Sequence, residues 1–152
     1  MGKAFISALN SLTRREHSVL ELKQKLERKG FSEQEIVEAI NECQRLGYQS
    51  DDRFAEHLSR ARIVQGYGPV RIKQELTSKG IHEEQIDQVL QQEADESWLV
   101  RALQVANKKS QPFKVNHSIA KSLSWDEQQK LKRFLLYRGF PGHIIAGLFE
   151  KC

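Results

Sequence analysis

The chain has 152 residues, of which 39% are hydrophobic and 29% are charged. This balance excludes an intrinsically disordered chain and fits one globular domain, or several small units that share a core. The formal net charge is only +4, and no apolar run approaches the ~20 residues that a membrane-spanning helix needs. We therefore expect no membrane partner. The two cysteines make no disulfide framework, which favours a reduced, cytoplasmic setting.

Helix starts can be read in chain order. An amphipathic run from about Phe5 to Leu12 comes first. Serine followed three residues later by glutamate, at Ser18, Ser32 and Ser124, is typical of a capping box, in which the two side chains satisfy free helix amides. Gly68 is expected to be an N-cap, with Pro69 as the first helical residue. Two further amphipathic runs contain Phe54, Leu58 and Ala61, and Trp98, Ala102 and Val105.

One helix–turn–helix pattern occurs three times. In each copy, apolar residues stand eight and four places before a glycine, and others stand one, six and ten places after it, which is helical spacing. The three segments, aligned on Gly30, Gly80 and Gly139, are Leu22–Ile40, Ile72–Leu90 and Leu131–Phe149.

Each of these glycines is predicted to end a helix in the left-handed conformation, where a Cβ atom is unfavourable. If Gly30 is the first residue past the helix, Phe31 should contact Leu26, which is the apolar contact of a Schellman ending. The same spacing predicts contacts of Ile81 with Leu76 and of Phe140 with Leu135.

These patterns predict an all-α protein of three tandem three-helix repeats stacked into an elongated, curved array. The expected repeats are residues 1–48, 49–95 and 96–152, the last with a longer loop near 107–124. Residues 31–57 contain seven acidic and two basic residues, and residues 81–97 contain six acidic and no basic residues. Acidic blocks of this kind can meet a basic protein partner, and a solvated helical surface is the alternative interpretation.

The motifs of common catalytic and metal sites are absent from the sequence. It contains no phosphate-binding loop, no zinc spacing of histidine and cysteine, and no nucleophile elbow. The pair Asp51 and Asp52 has a hint of metal chemistry, but its place beside a helix start favours a capping role. We expect no enzyme activity, no catalytic or metal-binding residue, and no cofactor.

Two groups of basic residues are candidates for binding. Tyr67, between two glycines at a helix start, is close in sequence to Arg62, Arg71 and Lys73. One interpretation of this group is that Tyr67 packs across the helix junction and the glycines only make the turn; the other is a basic and aromatic surface for phosphate or nucleic acid. The third repeat has the densest basic set, Lys108, Lys109, Lys114, Lys121, Lys130, Lys132 and Arg133. Lys132 and Arg133 flank Leu131, a predicted core residue, so they should point outward.

The stretch DDRFAEHLSRARIVQGYGPVRIKQELTSKGI, Asp51–Ile81, resembles the signature of the RecX family, the regulators of the bacterial recombinase RecA. FLLYRGF (Phe134–Phe140) and REHSVLELKQKL (Arg15–Leu26) resemble the family's C-terminal and N-terminal repeats. The resemblance covers essentially the whole chain and implies tandem three-helix repeats, in agreement with the periodicity.

The resemblance also implies a function: a cytoplasmic, non-enzymatic modulator of RecA in homologous recombination, DNA repair and the SOS response. Such a protein would bind the RecA nucleoprotein filament and lower its ATPase, strand-exchange and co-protease activities. The implied partners are the RecA filament and, with weak sequence specificity, single- and double-stranded DNA; we expect the protein to be a monomer. The working surface implied by the signature contains Arg53, Arg62, Tyr67, Arg71 and Lys73.

A second function stays open from the residues themselves. An autonomous, basic helical DNA-binding protein could affect recombination by competing for DNA. Its affinity would fall steeply with salt, because each phosphate contact releases counterions.

Overall fold

A computed structural model of the chain describes residues 2–109 and 123–149, and over these residues it confirms the expected all-α class. The described residues form nine helices and no strand. The helices are α1 (Lys3–Arg14), α2 (Val19–Arg28), α3 (Glu33–Arg45), α4 (Asp51–Val64), α5 (Pro69–Ser78), α6 (Glu83–Leu90), α7 (Asp95–Lys109), α8 (Trp125–Tyr137) and α9 (Gly142–Phe149). No helix in this part of the chain is both long and apolar enough to span a membrane.

The predicted helix starts and ends are confirmed. Ser18, Ser32 and Ser124 each form a complete capping box. Gly30, Gly80 and Gly139 have φ angles of 88°, 79° and 95°. In each case the next residue donates its N–H to the carbonyl five residues earlier, as Phe31 does to Leu26 at 3.2 Å. Gly47 and Gly66 end α3 and α4 in the same way, which the repeat alignment had not identified.

The described helices belong to two compact units, and the first contains residues 1–58 and 76–86. In it α1 packs on α2 and α3. The small side chains of Ala4, Ala8 and Ala39 are buried, so these helices can approach closely. Leu22, Leu26, Ile36, Ile40 and Cys43 complete this core.

The start of α2 depends on a residue from the start of α4. The Asp51 carboxylate accepts a hydrogen bond from the N–H of Val19 at 2.9 Å and another from the buried side chain of Gln49 at 3.0 Å. Val19 is the first residue of α2, whose N–H has no partner inside its own helix. Asp51 therefore caps a neighbouring helix, while its own helix is capped by Ser50, whose hydroxyl accepts from the Arg53 N–H at 3.2 Å.

The second compact unit contains residues 59–75 and 87–152. Here α7 packs against α8 and α9, and α8 packs against α9. Its buried side chains include Trp98, Ala102, Leu131, Leu135 and Ile145. The division between the units passes through α4, α5 and α6, which make up the predicted second repeat.

Two details of the sequence interpretation need correction. Ala61 is exposed, and the buried face of α4 is formed instead by Phe54, Ala55 and Ser59. The polar stretch expected to be a loop from residue 107 begins later, because α7 continues through Lys109. Most of that stretch, residues 110–122, lies outside the described residues, with Lys114 and Lys121.

The glycines at helix ends allow a graded test of packing. A Cβ atom on Gly30 would meet nothing within 4 Å, whereas one on Gly139 would lie 2.4 Å from the Arg71 Cβ and 2.6 Å from the Arg71 nitrogen. We expect Gly30→Ala to lower the free energy of unfolding only by the cost of the left-handed conformation, about 1–2 kcal/mol. Gly139→Ala should lower it clearly more. Urea denaturation followed by circular dichroism measures both. Equal losses would contradict the close approach at Gly139.

His17 should make stability depend on pH. It is buried, its Nδ1 lies 3.0 Å from the Arg15 carbonyl oxygen, and burial lowers its pKa below the ordinary value of 6.5. The unfolded chain therefore takes up a proton at a higher pH than the folded chain does. The contribution of His17 to the free energy of unfolding is therefore fully present above pH ~6.5 and declines as the pH falls below that value. Urea midpoints at about pH 7.5 and 5.5 should differ less in His17→Gln than in the unmodified chain. The control His57→Gln, at an exposed position, should keep the full difference.

Candidate functional site

The start of α5 and the end of α8 satisfy each other's backbone groups. The Gly68 N–H donates to the Arg138 carbonyl at 2.8 Å, and the Val70 N–H donates to the Gly139 carbonyl at 2.9 Å. Pro69, between them, has no N–H to satisfy. First-turn N–H groups and last-turn carbonyls lack partners within their own helices, so each end completes the other.

Glycine is required on both sides of this junction. A Cβ atom on Gly68 would lie 2.6 Å from the carbonyl carbon and oxygen of Gly139. The two backbones can therefore touch only because neither residue has a side chain. The contact places Tyr67 and Arg71, at the start of α5, against Tyr137 and Arg138, at the end of α8.

Aromatic and cationic side chains alternate across this junction. The Arg71 guanidinium lies 4.1 Å from the Tyr67 ring centroid and 5.6 Å from that of Tyr137. The Arg138 guanidinium lies 5.1 Å from the ring centroids of both Tyr67 and Phe134. The Lys109 ammonium, at the end of α7, lies 5.1 Å from the Phe134 centroid. We call this row the cation–aromatic ladder; in spatial order it is Tyr137, Arg71, Tyr67, Arg138, Phe134 and Lys109.

The ladder holds its cations without neutralising them. Each cation–ring contact contributes about 0.5–1 kcal/mol at an exposed site and restricts the side chain, but leaves N–H donors available. Among the described residues, no carboxylate forms a salt bridge with Arg71, Arg138 or Lys109. The one hydrogen bond from these three side chains within that part of the chain runs from Arg138 Nη1 to the Gln65 carbonyl at 3.0 Å. The arrangement can bind an anion such as a phosphate through oriented guanidinium groups.

Two of the predicted site residues are engaged in ion pairs. The Arg53 Nε lies 2.8 Å from Glu16 Oε1, in the first compact unit. The Arg62 Nε lies 2.7 and 2.9 Å from the two carboxylate oxygens of Glu75, and this hydrogen bonding raises the Arg62 pKa. Both arginines have carboxylate partners, unlike the arginines of the ladder.

The other predicted residues are distributed between the ladder and its surroundings. Tyr67, Arg71 and Lys109 are members of the ladder, and Tyr67 is half-buried, so the packing and binding interpretations of this residue are compatible. Lys108 and Lys73 are exposed on α7 and α5. On α8, Arg133 is exposed, whereas the Lys132 ammonium lies over the Phe149 ring at 5.0 Å from its centroid.

Sequence reasoning missed three members of the ladder. The sequence interpretation includes Phe134, Tyr137 and Arg138 only as part of the repeat motif Phe134–Phe140. A usable signal was present, because Phe134 and Arg138 are four residues apart on one helix face, which is the spacing of a cation–aromatic pair. No group of three or more possible metal-ligating side chains occurs among the described residues.

Comparison with known proteins identifies relatives over nearly the whole length. Three family models match in order: "RecX, first three-helix domain" over residues 4–43, "RecX, second three-helix domain" over 50–90, and "RecX, third three-helix domain" over 95–147. A protein named "Regulatory protein RecX" from Legionella pneumophila (strain Corby) is 51% identical over 99% of this chain and 95% of its own. One of the same name from Mannheimia succiniciproducens is 43% identical over 94% and 90% of the two chains.

Solved structures show the same fold. A crystal structure of RecX from Lactobacillus salivarius superposes with a TM-score of 0.80 at 28% identity, covering 96% of this chain and 92% of the other. A second crystal structure, titled as the regulatory protein RecX, also gives 0.80, at 22% identity, over 98% of this chain and 72% of the other.

The pairing of Arg62 yields a test that separates structural from binding arginines. Because the Arg62 and Glu75 side chains are 29% and 23% exposed, their pair should stabilise the fold by about 1 kcal/mol. We expect Arg62→Gln to lower the free energy of unfolding by that amount, and Arg133→Gln, at an exposed position, to change it by less than ~0.5 kcal/mol. Denaturant titration measures both. A neutral Arg62→Gln that nevertheless lost affinity for single-stranded DNA would place Arg62 in the binding surface instead.

Proposed function

The chain belongs to the RecX family, and from this membership we propose that it binds the RecA–DNA nucleoprotein filament and lowers its activity. The affected activities are ATP hydrolysis, strand exchange and co-protease function, in recombination and the SOS response. In this proposal the protein is a cytoplasmic monomer that acts by binding and catalyses no reaction. The observation that carries it is the match of all three repeats to one regulatory family, with relatives named as regulatory proteins.

The cation–aromatic ladder supports a contact with the DNA of the filament. Its guanidinium groups are oriented by rings and have no carboxylate partner among the described residues, so phosphate does not have to displace an existing salt bridge. Tyr137 is 75% exposed and offers a ring to an unpaired base. Contacts with DNA phosphates position a protein on the nucleic acid but do not read its sequence, which agrees with weak sequence specificity.

The acidic segments support a contact with protein. Residues 81–97 contain six acidic and no basic residues. Some acidic groups of the chain are used internally, as Asp52 is by Gln85 and Glu93 is by Arg101. Glu96 is exposed at the start of α7, and the exposed Asp95 beside it lies 3.5 Å from the His143 Nε2. A surface of this sign repels DNA and suits a basic protein face. An autonomous DNA binder has no use for it, so we favour the regulator over competition for DNA.

The first test measures RecA ATPase on saturating single-stranded DNA, with this protein added far below the RecA concentration. Inhibition under these conditions means that the protein acts on the filament, because free DNA is in excess. If inhibition begins only when the protein approaches the amount of DNA, competition for DNA is the mechanism and the filament proposal is wrong.

A matched pair of substitutions tests the ladder within this function. Arg71→Gln removes one ladder cation, and Arg133→Gln removes an exposed cation on α8 outside the ladder. We expect Arg71→Gln to weaken binding to the filament and to single-stranded DNA, and to reduce the slope of log affinity against log salt by about 0.7. The control Arg133→Gln should leave both unchanged. The reverse result would assign the DNA contact to the exposed face of α8.

A further inference from the structure

Four members of the ladder form one side of a groove in the second compact unit, which has a volume of about 690 Å³; they are Tyr67, Arg138, Phe134 and Lys109. Its other walls come from the end of α4 and the last turns of α7. The apolar lining includes Ile63, Val64 and Val105. Val64 is 81% exposed, which is unusual for an aliphatic side chain that has apolar neighbours. An open groove with an exposed aliphatic lining is typical of a docking site rather than of a surface that is only solvated.

The charge of the groove has one sign. Its lining contains Arg101, Lys108, Lys109 and Arg138, and it contains no aspartate or glutamate. Arg101 is paired with Glu93 at 2.8 Å. The other three cations have no salt-bridge partner among the described residues. The groove therefore combines an apolar lining with about three uncompensated positive charges, and it complements a ligand that is both apolar and acidic.

We propose that this groove binds an acidic peptide segment of a protein partner, which places a leucine-like side chain on Val64 and Val105 and carboxylates beside Lys108, Lys109 and Arg138. This inference rests on the proposed function, since it specifies the chemistry of one protein contact that the regulator makes. A nucleic acid fits the groove less well, and the proposed DNA contact can use Arg71 and Tyr137, which do not line the groove. The Tyr67 and Phe134 rings are each contacted by two cations, which leaves aliphatic side chains, rather than free aromatic faces, as the main apolar lining.

The sequence that directly follows Lys109 does not have the chemistry of this ligand. Residues 110–122 contain Lys114 and Lys121 and no aspartate or glutamate. They therefore do not match the acidic ligand that the groove complements.

The test uses the full chain and a fluorescein-labelled octapeptide of alternating glutamate and leucine, with binding followed by fluorescence anisotropy. Two control peptides change one property each: alternating glutamate and serine removes the apolar side chains, and alternating lysine and leucine reverses the charge. We expect the glutamate–leucine peptide to bind at least ~10-fold more tightly than either control. Equal binding of the three peptides, or no binding of the first, overturns the proposal.

Matched substitutions locate the binding. Val64→Glu places a negative charge in the groove, whereas Val100→Glu does the same at an exposed valine of α7 outside it. Lys108→Glu and Lys130→Glu are a second pair, of which only Lys108 lines the groove. Val64→Glu and Lys108→Glu should each weaken peptide binding by ~10-fold or more, and the two controls by less than ~2-fold. Equal effects within each pair overturn the assignment to this groove.

The same variants distinguish the other occupants and the other proposal. If Val64→Glu weakens binding of a labelled oligo-dT but not of the peptide, the groove is a nucleic-acid site and the inference is wrong. Peptide binding is measured without RecA, so it can succeed or fail independently of the proposed function. Failure of the unmodified chain to inhibit RecA ATPase would reject the filament proposal, while loss of peptide affinity confined to Val64→Glu and Lys108→Glu would still support the groove.

Discussion

The junction between Gly68 and Gly139 is the contact on which the candidate site depends. Two backbone N–H groups of α5 meet two backbone carbonyls of α8, and the absence of both side chains allows the chains to touch. All the rings and guanidinium groups of the ladder except Phe134 and Lys109 lie within three residues of one of these two glycines. The ladder is therefore a direct consequence of how two helix ends satisfy their hydrogen bonds, and the groove beside it takes two of its unpaired cations, Lys109 and Arg138, from the ladder.

The free N–H groups at the start of α2 find their partners in a different way. There Ser18 and Glu21 form a capping box within the helix, and Asp51 accepts the remaining Val19 N–H. Ser18 corresponds to Gly68 in the repeat, since Gly30 corresponds to Gly80. One position thus carries a side chain that caps locally in the first repeat, and no side chain in the second, where the cap comes from another helix. With glycine in place of serine, the start of α5 has no capping box of its own and is completed by the backbone carbonyls of α8.

Local features were predictable from sequence, and long-range partners were not. The endings at Gly30, Gly80 and Gly139 follow from residues within one turn, so spacing alone identified them. Tyr67 and Arg71 were likewise placed in one candidate group, because they are close in sequence at a helix start. The pairing of Arg62 with Glu75 joins two helices, and the approach of Arg138 to Tyr67 joins residues far apart in the chain; neither is encoded in a local pattern. Composition could identify the basic residues, but only the fold separates those held by carboxylates from those held by rings.

The capping of α5 by α8 also has a consequence for the order of synthesis. A ribosome makes Gly68 and Val70 long before it makes Arg138 and Gly139, since α6, α7 and α8 lie between them in the chain. At typical translation rates that interval is several seconds, far longer than a helix needs to form. During it the nascent α5 has water as the partner of its first N–H groups, and its glycine start has no local side chain to replace the missing carbonyls. The candidate site is thus completed only after the end of α8 has left the exit tunnel.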